Sequence, residues 1–195
     1  MNKLILASGS PRRREMLAAL GYEFDVFTAN FDESSVSLAQ PAEGVKQLAL
    51  GKAEAARAAF NGTAENTVFL GADTIVALDD VCLGKPSSEA EAHEMLRSLS
   101  GKTHSVFTGV ALVSDEKSEV FVSETKVTFY DISDEEIDAY IASGEPMDKA
   151  GSYGIQGLGG VFVKGISGDY QTVVGLPLSE TYRMLKKYGI SPISF

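Results

Sequence analysis

The chain has 195 residues, 44% hydrophobic and 23% charged, with 27 acidic against 17 basic side chains and a formal charge of -10. That balance excludes the broad basic face needed for non-specific binding to nucleic acid or anionic lipid, and the length allows one large domain or two small lobes sharing a core. Cys82 is the lone cysteine, so no intramolecular disulfide forms, and no apolar run approaches the ~20 residues that span a bilayer.

The apolar run over residues 3–7 is shorter than the roughly 7–15 residues of a secretory core. It reads as a buried strand, and the chain as cytoplasmic. Ser10 then fits a helix N-cap with Pro11 at the first helical position, Met16, Leu17 and Leu20 follow at helical spacing, and Gly21 stops the helix. A second helix is expected over residues 42–60, with Val45, Leu48, Ala49, Lys52, Ala53 and Ala56 on one stripe. Residues 66–78, "NTVFLGADTIVAL", read as a buried strand by length and β-branched content.

Ser88 and Glu91 form a capping-box pattern ahead of a helix closed by Gly101. "THSVFTGVALVS" and "EVFVSETKVTFYD" are two strands of a hairpin turning at residues 115–118. A second capping box, Ser133 with Glu136, opens a helix that Gly144 stops, and a last helix is expected over 178–188. Nine of the 19 glycines lie between Gly144 and Gly175, yet "GVFVKGIS" and "YQTVVG" within that segment look like strands. Glycine there permits tight turns or close backbone approach to something bound. The fold class is α/β, a mixed sheet with flanking helices.

Three consecutive arginines at a helix start are unfavourable in isolation. A strand that ends in small residues and turns into a helix presents free N–H groups and a positive dipole end. With Ser8, Ser10 and Arg12 to Arg14 added, the segment suits phosphate; the alternative is a solvated turn whose arginines pair with neighbouring carboxylates. Lys52 interrupts an apolar stripe, either as a buried stem whose head reaches water or as an ammonium aimed into an anion-binding cleft. Asp73 is the only ionisable group in its strand, and burying a lone carboxylate costs several kcal/mol. It requires a cation, a metal, or a chemical task, unless it sits at a strand end and bonds to backbone N–H groups.

Lys85, in the turn "GKP", and the carboxylates Asp32 and Glu33 add to the same set. Carboxylates beside lysines and arginines suit a hard, oxygen-ligated ion such as magnesium whose shell substrate phosphates complete. Zinc is disfavoured, because His93, His104 and Cys82 share no ligand spacing. His93 reads as exposed among acidic neighbours, and His104, at a strand start, as anything from a hydrogen bond to a substrate contact. No P-loop or nucleophile-elbow pattern occurs.

In chain order, "SGSPRRREML", "GADT", "GKP", "SGKTHSVFTGV", "EPMDKAGSYGIQGLGGVFV" and "GDYQTVVGLPL" together resemble the Maf family of nucleoside triphosphate pyrophosphatases, from residue 8 to residue 178. The resemblance implies one domain over residues 1–195, an elongated two-lobed fold around a central cleft and related to inosine-triphosphate pyrophosphatase. It also implies a divalent cation (Mg2+ or Mn2+), a cytoplasmic location and a homodimer. Asp73 matches the family's proton acceptor, and Ser8, Arg12, Arg13, Glu33, Lys52 and Lys85 match its other polar cleft residues, with Glu33 and Asp73 placed to hold the metal. Arg12, Thr74 and Gln156 match positions linked to substrate choice, in the pattern of the branch acting on dTTP and UTP.

The implied reaction is attack by water on the α-phosphorus, with Asp73 orienting or deprotonating that water and the cations neutralising the phosphates. Gln156, with Thr74, is expected to read the pyrimidine edge. The competing expectation is a nucleotide-binding regulator of cell division or septum formation with little catalysis.

Overall fold

The computed structural model describes residues 2–62, 65–79 and 81–192. Strand β1, Lys3–Leu6, is followed by helix α1, Pro11–Ala19, and the short strand β2, Asp25–Val26. Ser10 is the N-cap residue in extended conformation with Pro11 at the first turn, although its side chain makes no capping bond. Gly21, at φ 80°, takes the left-handed position that ends the turn.

Helix α2, Pro41–Ala59, precedes the long strand β3, Thr67–Leu78, and the short β4, Val81–Leu83. Then come α3, Glu89–Leu99, the β5–β6 hairpin of Thr103–Val113 and Ser118–Phe129, and α4, Asp134–Ala142. Three 3-10 turns, Glu145–Asp148, Ala150–Ser152 and Leu158–Phe162, lead to β7, Val163–Ser167, α5, Tyr170–Val174, and α6, Leu178–Lys187.

These strands form one seven-stranded sheet in the order β2-β1-β3-β5-β6-β7, with β4 paired to β3. The pairings β2 with β1 and β1 with β3 are parallel; the remainder are antiparallel. Alternation along β3 sends Val68, Leu70 and Ala72 into a core with Leu17 of α1 and Leu185 of α6. Further along the same face, Val76 and Leu78 meet Leu96 of α3 and Ile137 of α4. The opposite face, through Phe69 and Ile75, packs on Ala49, Ala53, Val45 and Leu48 of α2. A Cβ on Gly109 of β5 would lie 2.5 Å from the Val45 carbonyl, and one on Gly71 would collide with the Ala49 carbonyl. Two glycines therefore let α2 ride close on the sheet, which fixes how far Lys52 reaches.

The register leaves a gap with functional consequence. Along one edge of β3, β1 pairs with residues Thr67 to Leu70, and β4 with Val76 to Leu78. Between them, residues 71–75 have a strand partner only on the β5 side among the described residues. The edge of the sheet opens at Asp73 and Thr74.

Local expectations fail at four points. "YQTVVG" is the helix α5, because the Asp169 carboxylate caps the Gln171 N–H at 3.0 Å and Gly175, at φ 125°, ends the turn; capping outweighs β-branched preference. Only the second half of "GVFVKGIS" is a strand, its first residues forming a 3-10 turn. The Ser88 box is half formed: Ser88 caps the Glu91 N–H, but the Glu91 carboxylate turns to Ser87. The Ser133–Glu136 box is complete. The short β2 and β4 carried no sequence signal and were not expected. Among the described residues, no helix is long and apolar enough to cross a membrane.

Candidate active site

The gap in the sheet edge opens into a cavity of about 910 Å³ lined by the nine residues that the family resemblance singles out: Ser8, Arg12, Arg13, Glu33, Lys52, Asp73, Thr74, Lys85 and Gln156. They arrive from six segments. The turn after β1 and the start of α1 bring Ser8, Arg12 and Arg13, α2 brings Lys52, and β3 brings Asp73 and Thr74. The turn after β4 brings Lys85, the glycine-rich loop brings Gln156, and the 3-10 turn Glu33–Ser35 brings Glu33.

Neighbouring residues on a strand face opposite ways, and this divides the site into two clusters. On the α2 face, Lys52 Nζ donates to Asp73 Oδ1 at 2.5 Å and lies 3.0 Å from Glu33 Oε1. The interruption in the α2 stripe is thus an ammonium held between two carboxylates. Glu33 stands in a short 3-10 turn capped by Asp32, whose carboxylate accepts from the Ser34 N–H and hydroxyl. Asp32 is therefore engaged in the turn and only Glu33 lines the cavity.

On the other face Arg13 is buried. Its Nε donates to the Gly175 carbonyl at 2.8 Å, one terminal nitrogen to Ser8 Oγ at 3.0 Å, and the other to Thr74 Oγ1 at 3.0 Å. The Thr74 hydroxyl also lies 2.9 Å from that of Thr108, which donates to the Thr172 carbonyl at 2.7 Å. Both carbonyls belong to α5 and its end, so the unexpected helix orients Arg13. All three partners of this guanidinium are neutral oxygens. Burial lowers its pKa from the ordinary arginine value, with Arg12 adding to the effect and Asp73 and Glu33 opposing it.

The far wall carries residues that sequence reasoning passed over, although they lie within the quoted "EPMDKAGSYGIQG". Glu145, Asp148 and Lys149 line the cavity. Burial raises the Asp148 carboxyl, but the bonded Lys149 ammonium and Arg12 outweigh it and hold it below its ordinary value. The lining therefore sets Arg12, Arg13, Lys52, Lys85 and Lys149 against Glu33, Asp73, Glu145 and Asp148, a cation excess in a chain whose total charge is -10.

His104 is no substrate contact. It is 2% exposed, its Nε2 sharing a 2.8 Å hydrogen bond with the Tyr153 hydroxyl, and its ring stands edge-on to Phe129 and Tyr153. His93 is half-buried, within 3.6 Å of Asp134 and Asp138. Burial pushes the His104 pKa down to about 4 from 6.5. The unfolded chain then binds a proton that the folded chain refuses, so this contribution is complete above pH 6.5 and is lost as pH falls toward 4. Denaturant melts should show about 2–3 kcal/mol of acid destabilisation between pH 7.5 and 4.5 from this group, absent from His104→Phe. Equal pH dependence in the two proteins would refute it.

The family described as Maf-like protein matches residues 3–188. The chain belongs to the Maf family. Its relatives include a dTTP/UTP pyrophosphatase of Bacillus cereus (strain ZK / E33L), 52% identical over 193 residues and 97% of both chains. Proteins of the same name from Bacillus thuringiensis subsp. konkukian (strain 97-27) and Bacillus anthracis are 52% and 51% identical, again over 97% of both chains. The motifs that suggested Maf membership thus belong to a likeness running through the whole fold, and the cavity at the β3 edge is where this Maf chain gathers them.

The donor set fits a hard divalent cation. Among the described residues no three His, Cys, Asp or Glu side chains converge, but Glu33 and Asp73 already flank one cation, the Lys52 ammonium. Two carboxylates with room for phosphate oxygens is the ligand set magnesium takes in nucleotide enzymes.

Proposed function

We propose that this chain is a nucleoside triphosphate pyrophosphatase acting on dTTP and UTP, with residues 1–195 forming one domain whose two lobes share the cleft. The observation that carries the reading is Arg13, a buried cation whose hydrogen bonds, among the described residues, go to neutral oxygens, in a cavity with further cations. Such a group calls for an anion. The names of the relatives and the polar apex at Gln156 support a pyrimidine triphosphate.

Water attacks the α-phosphorus, a P–O bond forms, and the bond to the α,β-bridging oxygen breaks, leaving with its electron pair on pyrophosphate. Asp73 orients the water and takes its proton. Lys52 donates to Asp73 and holds it in register. Arg12, Arg13, Lys85 and Ser8 bind the phosphates, where fixed donors offset charge that grows in the transition state. Thr74 influences substrate choice by orienting Arg13, and Gln156 bonds the base edge. Glu33 and Asp73 would hold Mg2+ or Mn2+, which neutralises phosphate charge when bound. The protein works in the cytoplasm as a homodimer.

Incubation with dTTP and magnesium in ¹⁸O-water is the direct test. The expected result is dTMP carrying the label, unlabelled pyrophosphate, faster turnover of dTTP and UTP than of CTP, GTP or ATP, and sedimentation as a dimer. Tight binding without pyrophosphate release would replace the enzyme with a nucleotide-sensing regulator. Label in pyrophosphate would move the attack off the α-phosphorus, and sedimentation as a monomer would remove the dimer.

A further inference from the structure

Gln156 stands at the top of an arch, residues 154–159, exposed toward the cavity. Ile155 seats the arch against the core, and a turn bond from the Gly157 N–H to the Gly154 carbonyl, at 3.3 Å, closes it. What fixes it lies beneath. The Glu145 carboxylate accepts the Leu158 N–H at 2.9 Å on one oxygen, and the Gly159 N–H at 3.2 Å and the Tyr140 hydroxyl at 2.9 Å on the other. The Tyr140 hydroxyl in turn accepts the Gly154 N–H at 3.1 Å. Both ends of the arch are therefore pinned through one carboxylate and one phenol.

The glycines show how close this support sits. A Cβ on Gly157 would collide with the Glu145 carboxylate, and one on Gly159 would lie 2.7 Å from the Tyr140 hydroxyl. Tyr140 is anchored from α4, its ring edge-on to Phe162 at 5.2 Å. Gly144, at φ 76°, turns the chain so that Glu145 follows directly beneath. Three donors, two backbone N–H groups and the Tyr140 hydroxyl, converge on the two Glu145 oxygens, so its hydrogen bonds hold the arch, while the Lys149 ammonium acts on it through charge alone.

We propose that Glu145, with Tyr140, is a positioning residue that sets base selection by holding the Gln156 arch at a fixed height over the cleft. The inference rests on the reading of Gln156 as the base contact. Glu145→Gln keeps size but exchanges one acceptor for an amide that faces an N–H donor, so the arch loosens; the negative charge it removes from the cavity acts alike on the phosphates of dTTP and CTP, so the preference between them reports the arch. Tyr140→Phe keeps the ring packing and removes only the hydroxyl.

Steady-state kinetics on dTTP and CTP, with magnesium, separate the possibilities. Glu145→Gln is expected to raise KM for dTTP about tenfold with kcat within about twofold, and to cut the dTTP-over-CTP preference by a similar factor. Tyr140→Phe should move the same quantities in the same direction by about threefold. Glu145→Gln combined with Gln156→Ala should be no less selective than Gln156→Ala alone, because both act through one contact. If Gln156→Ala loses selectivity while Glu145→Gln and Tyr140→Phe keep it, the positioning role is wrong and the base contact stands. If Gln156→Ala itself keeps selectivity, the base contact falls and this inference falls with it. Additive loss in the double variant, or an equal fall in kcat on both substrates, would also overturn the positioning role.

Discussion

Asp73→Asn is expected to lower kcat on dTTP by about 10²–10⁴-fold, the range a positioned general base supplies, while nucleotide binding is kept or strengthened. Asn is isosteric, and its amide oxygen can still accept from Lys52, which sits 2.5 Å from Asp73 Oδ1. The side chain is only 16% exposed, but losing a charge that was paired leaves Lys52 with Glu33, 3.0 Å away, so the ammonium is not orphaned. Folding should survive. The chemistry should not, because an amide cannot take a proton from water at neutral pH. Removing one negative charge from a cavity that must accept a triphosphate should tighten binding. The measurements are pyrophosphate release for turnover and calorimetry with the non-cleavable α,β-methylene analogue of dTTP for affinity. Turnover within tenfold of the parent, or loss of analogue binding, would show that Asp73 has another task.

Asp73 was legible in the sequence because a lone carboxylate in an apolar strand has few stable explanations. Its partner was visible as an anomaly, Lys52 on an apolar stripe, but the pairing was not, since it depends on how close α2 lies to Gly71 and Gly109. The opening at the sheet edge was harder still. It exists because β1 stops pairing at Leu70 and β4 resumes at Val76, and β4 has three residues, too few for periodicity to register. Helix α5 was misread because β-branched residues outnumber the cap, yet one Asp side chain and one Gly decide the local conformation. Glu145 escaped for a different reason. Two of its three partners are backbone N–H groups, and no residue type in the sequence marks those. Among the three arginines, the spacing of Arg13 with Met16 and Leu17 could have marked it as the inward one, since all three are buried on α1.

Arg13→Lys should separate the charge of that residue from its shape. A lysine keeps the positive charge but replaces a planar fork by a single ammonium, and one nitrogen cannot span Gly175, Ser8 and Thr74, which now hold separate nitrogens at 2.8, 3.0 and 3.0 Å. Arg13 is 8% exposed, so water will not readily replace the lost bonds. Losing bonds from a charged donor in a buried setting should cost about 3 kcal/mol, which lowers the melting temperature of a chain this size by about 6–12 °C. A purely structural arginine would show that loss and nothing more. A phosphate-binding arginine adds a second effect: inorganic tripolyphosphate at about 100 times its Kd stabilises the parent by about 2.7 kcal/mol, and in Arg13→Lys, at that concentration, most of this gain should vanish. Turnover on dTTP should fall by about 10²–10³-fold, the cost of removing one preorganised donor from a developing charge. If the variant melts lower yet gains as much from tripolyphosphate as the parent does, Arg13 is a strut between α1 and α5, and the anion that its buried charge demands must bind elsewhere in the cleft.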